Sequence, residues 1–146
     1  MSTISFNNHD VTLILKHKPL LRAFLSSIFQ SEKKEFKSIS YIFCTDKFLL
    51  TLNQQYLKHN TLTDIITFTL SDPFLPIVSE IYISTERVIE NAASLEVAFE
   101  NELYRVMIHG ILHLCGYSDH TKELKIQIHA KEDYYLSKMN FSKSYK

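Results

Sequence analysis

Glycine and proline are scarce in this 146-residue chain, two and three residues respectively, which leaves little material for long flexible linkers. Cysteine is equally sparse. Cys44 and Cys115 form no redox or metal-binding spacing, and two scattered cysteines suit a reducing cytoplasm better than a disulfide framework. Neither sign of charge is in excess, since sixteen Lys and Arg offset sixteen Asp and Glu. That balance argues against a protein that coats nucleic acid through bulk charge and leaves only a local basic patch. No apolar run approaches a membrane span, and the first ten residues lack the basic start and apolar stretch of a signal peptide. No membrane partner is expected. Internal repeats and low-complexity stretches are absent as well.

What is present suits a soluble globule: 45% hydrophobic and 22% charged residues. The length predicts one domain over residues 1–146, ordered from about residue 2 to 137 and followed by a polar, frayed tail. Ile4 and Phe6 alternate with polar neighbours as in a short strand, and Val11 to Leu15 reads as a second. From Pro19 to Phe29 the apolar positions Leu21, Phe24, Leu25 and Ile28 recur at helical spacing, with proline suited to the first turn. The charged segment Ser31 to Lys37 reads as a loop, and Ser38 to Cys44 as a strand rich in β-branched and aromatic residues. Thr45 and Asp46 are placed to cap a helix with the stripe Phe48, Leu49, Leu52 and Tyr56.

A polar turn, His59 to Thr63, precedes the β-forming run Asp64 to Leu70. Pro73 and Pro76 then break the chain before another strand, Ile77 to Ser84. Ser84 and Thr85 open a helix to about Val97. A second helix spans Phe99 to Cys115, with Leu103, Val106, Met107, Gly110 and Ile111 on its buried side, and Thr121 to Tyr135 forms the last one. The expected fold is an α+β sandwich, a mixed sheet of about four strands with helices packed on it.

One segment carries most of the chemistry: His109-Gly-Ile-Leu-His113-Leu-Cys-Gly116-Tyr-Ser-Asp119-His120. A helix sets positions i and i+4 one turn apart on one face, so two imidazoles can address one ion. Gly116 stands where the helix would stop and the chain reverse, and either Asp119 or His120 can swing back as a third ligand. Two histidines and one loop ligand leave a tetrahedral zinc one open position, the arrangement of a working metal. Nickel or another divalent ion is accepted by the same donors. Cys115 reads as a small buried apolar residue on the core side of the helix rather than as a ligand.

Zinc peptidases of the HExxH type carry their general base directly after the first histidine, and here that residue is Gly110. Metallopeptidase chemistry is therefore disfavoured. A Lewis-acidic ion without a neighbouring carboxylate base suits hydrolysis of a phosphodiester, where it neutralises charge on the phosphate. Glu102 and Arg105, two turns upstream of His109, read either as groups that orient the ligands or as an exposed i,i+3 pair.

At these residues the chain resembles the YbeY family, bacterial endoribonucleases specific for single strands and linked to ribosomal RNA maturation and ribosome quality control. Three further blocks agree in order and spacing: Leu52-Asn53-Gln-Gln-Tyr56, Thr63-Asp64-Ile-Ile-Thr-Phe68, and Glu80-Ile-Tyr-Ile-Ser84. The resemblance spans roughly Ser38 to Tyr135. It implies a single α+β domain, one zinc ion held by His109, His113 and a third ligand, and residence in the cytoplasm. The implied partners are single-stranded RNA, ribosomal RNA and the small ribosomal subunit, with cleavage at the 3′ end of the small-subunit RNA and no DNA.

Two positions depart from the family pattern. The family's third histidine lies six places after the second, which here is Asp119; His120 corresponds only if Ser118 is inserted. Register on a tight turn favours Asp119. An arginine that the family carries after its Asn-x-x-Tyr block, to meet RNA phosphate, is Leu57 here. Lys58, His59 and Arg105 are the candidate cations to replace it, with Lys58 and His59 read equally as solvated loop residues. Lysine offers a point charge where arginine offers a planar fork. Asp64 reads as a polar residue ordering the loop before its strand. The alternative function is a non-catalytic ribosome-assembly factor whose ion only holds the turn together.

Overall fold

The computed structural model describes residues 1–57 and 63–139. Its strands are β1 (Thr3–Asn8), β2 (Phe36–Cys44), β3 (Ile65–Thr69) and β4 (Ile77–Ser84). Its α-helices are α1 (Lys18–Ser31), α2 (Asp46–Leu52), α3 (Thr85–Leu95), α4 (Phe99–Leu114) and α5 (Lys122–Ser137), and a π-helical turn, Asn53–Leu57, extends α2. One mixed sheet has the order β1-β2-β4-β3. β1 and β4 run parallel to β2, whereas β3 returns antiparallel along β4. The α+β sandwich with a four-stranded mixed sheet is as the sequence predicts.

Alternation along the inner strands builds the main core. Ile39, Tyr41 and Phe43 of β2 and Ile81 and Ile83 of β4 point to one side, where α1 contributes Leu21, Leu25, Ile28 and Phe29. Helix α4 runs through this layer and is buried on most of its circumference, through Leu103, Val106, Met107, Ile108, Ile111 and Leu112. Tyr41, fully buried, donates its hydroxyl to Met107 O at 2.8 Å, so strand and helix are joined by a hydrogen bond as well as by packing. A smaller cluster of Cys44, Leu49 and Ile66 lies under α2. Three of the five described α-helices start on a capping side chain: Thr45, Ser84 and Thr121 accept from Phe48 N, Arg87 N and Leu124 N, each at 3.1 Å.

Val11 to Leu15 is not a strand. β1 sits at the sheet edge beside β2, and this segment is irregular, leading across to α1. Its apolar alternation is satisfied by packing Val11, Leu13 and Leu15 against the core rather than by pairing. The loop predicted over Ser31 to Lys37 is shorter, because α1 continues through Ser31 and β2 begins at Phe36. Met139, within the stretch read as a polar tail, is buried, and residues 140–146 lie outside the described part.

Candidate metal centre

Helix α4 carries His109 and His113 on successive turns, with their Nε2 atoms 2.9 Å apart. A positive-φ glycine and two backbone hydrogen bonds then bring a carboxylate to them. Gly116 takes φ +106°, a conformation that side-chain-bearing residues rarely adopt. Gly116 N–H donates to His113 O and Tyr117 N–H to Leu112 O, both at 3.0 Å, which is the paired Schellman closure of a helix end. The chain reverses there, and Asp119 Oδ2 comes to 3.7 Å from His109 Nε2 and 3.6 Å from His113 Nε2. A Cβ on residue 116 would meet nothing within 4 Å, so Gly116→Ala strains only the backbone. We expect it to lower stability by about 1–2 kcal/mol, measured by urea denaturation.

The three donor atoms lie within 4.8 Å of one another. An ion about 2.05 Å from each of its tetrahedral ligands needs them about 3.3 Å apart, so the observed separations bracket the requirement. The donor set, two imidazoles and a carboxylate, fits zinc and other borderline divalent ions alike. His120 is exposed, with its backbone N–H on Ser118 Oγ at 3.2 Å, and it stands outside the group.

Behind His109 lies a carboxylate that sequence reasoning missed. His109 Nδ1–H donates to Glu132 Oε2 at 2.5 Å, which directs Nε2 toward His113 and Asp119. Glu132, with a side chain 3% exposed, also accepts from Arg105 Nη1 at 2.9 Å. The other arm of Arg105 reaches Asp133 Oδ1 at 2.5 Å. Burial drags the His109 pKa down, but the hydrogen bond and charge of Glu132 outweigh it and leave the group above its ordinary value. Burial pushes Glu132 up, and the bonds from His109 and Arg105 bring it below the usual carboxylate range. His113 is lowered by burial and by the charge of His109. One signal for Glu132 was available: it interrupts the buried stripe of α5 between Ile128 and Tyr135.

The cluster opens on a cleft of about 360 Å³ whose walls include Asn53, Leu57, Thr63, Asp64, Ile65 and Thr67. Asp64 does more than order its loop, because its half-buried carboxylate faces this cleft and accepts from Asn91 Nδ2 at 3.4 Å. Burial raises its pKa. Glu102 is buried, not part of an exposed pair, and its pKa is likewise raised by burial and then by Asp64. Arg105 is committed to α5 carboxylates, and Leu57 lines the cleft without offering a charge. Among the described residues lining the cleft there is no lysine or arginine. Lys58 and His59 lie outside the described residues. Cys115 is buried and its thiol is pushed up to about 12, consistent with an apolar role.

Gly110 shows why a peptidase glutamate has no place here. A Cβ at that position would lie 2.9 Å from Ile65 Cδ1 and 3.2 Å from Ile81 Cγ2, because α4 is pressed onto the sheet.

Fold and site together define an α+β protein with a three-donor group able to hold a metal ion beside an open cleft. The family model described as endoribonuclease YbeY matches residues 3–140. The endoribonuclease YbeY of Flavobacterium psychrophilum is 47% identical over 132 residues, covering 89% of this chain and 91% of that protein. That of Cytophaga hutchinsonii is 40% identical over 139 residues, covering 95% and 97%. A Thermotoga maritima protein solved in solution superposes with a TM-score of 0.58 at 29% identity, over 92% of this chain and 87% of its own. The chain belongs to the YbeY endoribonuclease family.

Proposed function

We propose that this chain is a metal-dependent endoribonuclease that cuts single-stranded RNA in the cytoplasm, with the 3′ end of small-subunit ribosomal RNA as its target during ribosome maturation and quality control. The observation that supports this most is the His109, His113 and Asp119 group facing a cleft, in a chain whose relatives are named endoribonucleases. His109, His113 and Asp119 would hold zinc, which when bound supplies Lewis acidity toward a phosphate oxygen and acidifies water. Glu132 keeps the His109 proton on Nδ1 and leaves Nε2 for the ion. Asp64, with a raised pKa in the same cleft, is the carboxylate placed to accept a proton from the attacking group. The cytoplasmic setting is supported by two free buried cysteines. Among the described residues no helix is long and apolar enough to cross a membrane.

A non-catalytic assembly factor with a structural ion is the second reading, favoured by the uncharged Leu57 in the cleft wall. Purified protein incubated with a single-stranded oligoribonucleotide separates the two. Cleavage is expected to fall at least about 100-fold with a chelator, about 2.8 kcal/mol of barrier, and to return with zinc. Zinc-loaded protein that leaves every RNA intact while still binding ribosomal subunits would establish the second reading.

A further inference from the structure

We propose that Glu32 is a positioning residue for the metal group, holding the Asp119 loop in place through the phenol of Tyr117. Glu32 lies at the C-terminal end of α1, in the segment that reads from sequence as a solvated loop, yet its side chain is only 12% exposed. Tyr117 donates its hydroxyl to Glu32 Oε1 at 2.9 Å. Tyr135 of α5 donates to Oε2, and Lys131 Nζ stands 3.4 Å from the same oxygen. One carboxylate therefore ties the end of α1 to two parts of the chain lying 85 and 103 residues further on. Burial pushes its pKa up, and the two phenols and the ammonium together bring it below the ordinary value. Both phenols donate their hydroxyl protons to this carboxylate.

The place of this brace gives it a consequence for the ion. Asp119 is two residues beyond Tyr117 on an irregular stretch, and a ligand on such a stretch subtracts its ordering cost from the binding free energy. The helix-end closure fixes the backbone at Gly116 and Tyr117 from the α4 side. Glu32 fixes the same residue a second time, at its side chain, through a charge-assisted hydrogen bond. With both tethers the loop leaves Tyr117 in one direction, toward His109 and His113. A phenylalanine would keep the ring and lose the second tether, so packing alone does not supply it.

The inference rests on the metal reading of His109, His113 and Asp119, and cobalt(II) titration followed by visible absorption distinguishes the two. In metal-free Tyr117→Phe and Glu32→Gln, cobalt affinity is expected to weaken roughly ten-fold, the usual scale for groups that orient ligands. The double variant should weaken no further than Tyr117→Phe alone, because Tyr117→Phe removes the tether that Glu32→Gln only weakens by taking away its charge. Thermal unfolding confirms that each variant is folded at the titration temperature. Wild-type affinity and absorption in folded Tyr117→Phe, with binding lost in His113→Ala, would overturn this proposal alone. Absence of cobalt binding by the wild type, or binding indifferent to His113→Ala, would overturn the metal reading and the proposal with it.

Discussion

Zinc carried by the purified protein is expected to fall to background in His113→Ala, and zinc affinity to drop about 100-fold or more in Asp119→Ala, while His120→Ala retains wild-type binding. A hundred-fold loss corresponds to about 2.8 kcal/mol. The expectation follows from how few donors converge. His109 Nε2, His113 Nε2 and Asp119 Oδ2 form the group, and removing one leaves a two-point site on a helix or one histidine with a loop carboxylate. His120 follows Asp119 directly but is exposed, so its truncation removes no converging atom. Zinc content by elemental analysis and affinity by competition with a chromophoric chelator measure the three variants. RNA cleavage should fall in the same order as the metal. Loss of zinc in His120→Ala with retention in Asp119→Ala would reverse the assignment of the third ligand.

The elements with a dense local signal were legible in the sequence. β4 was read at its observed bounds, Ile77–Ser84, and α4 to within one residue, because β-branched alternation and a long apolar period each dominate their stretch. The turn that presents Asp119 was legible for the same reason: His113, Gly116 and Asp119 are close in sequence, and one αL glycine determines where the chain goes. Val11 to Leu15 misled because alternation records which residues are buried, and irregular chain against a core can bury Leu13 and Leu15 as a strand would. Glu132 and Glu32 were not found because their contacts are made 23 and 85 residues away, and local periodicity says nothing about which distant donor a carboxylate meets. Gly110 carried more than its sequence reading drew from it. Its lack of a side chain removes a peptidase base, and the approach of Ile65 and Ile81 shows that the packing of α4 demands that lack.

Glu132→Gln should weaken zinc binding roughly ten- to hundred-fold and lower the stability of the metal-free protein by roughly 2 kcal/mol. The amide still fits the space but carries no charge for His109 and Arg105, which both bond to this 3%-exposed side chain. Its effect on the pH profile is more diagnostic than its size. His109 titrates above its ordinary 6.5 in the metal-free fold, so its contribution is complete below 6.5 and is lost as pH rises through the raised value. Glu132 titrates below its ordinary 4.5, so its contribution is present above 4.5 and is lost as pH falls through the lowered value. The ion pair therefore stabilises metal-free protein most between about pH 4.5 and 6.5. Zinc binding opposes this trend, because the ion needs a neutral imidazole and its affinity grows as His109 loses its proton. Urea denaturation in chelator across pH 4 to 9 should show the mildly acidic maximum in the wild type and a flattened profile in Glu132→Gln, where only the smaller influences of Asp64 and Asp119 still oppose the effect of burial on His109. An identical profile in both proteins would mean that the carboxylate does not hold the His109 proton, and the route by which α5 directs Nε2 toward the ion would have to be abandoned.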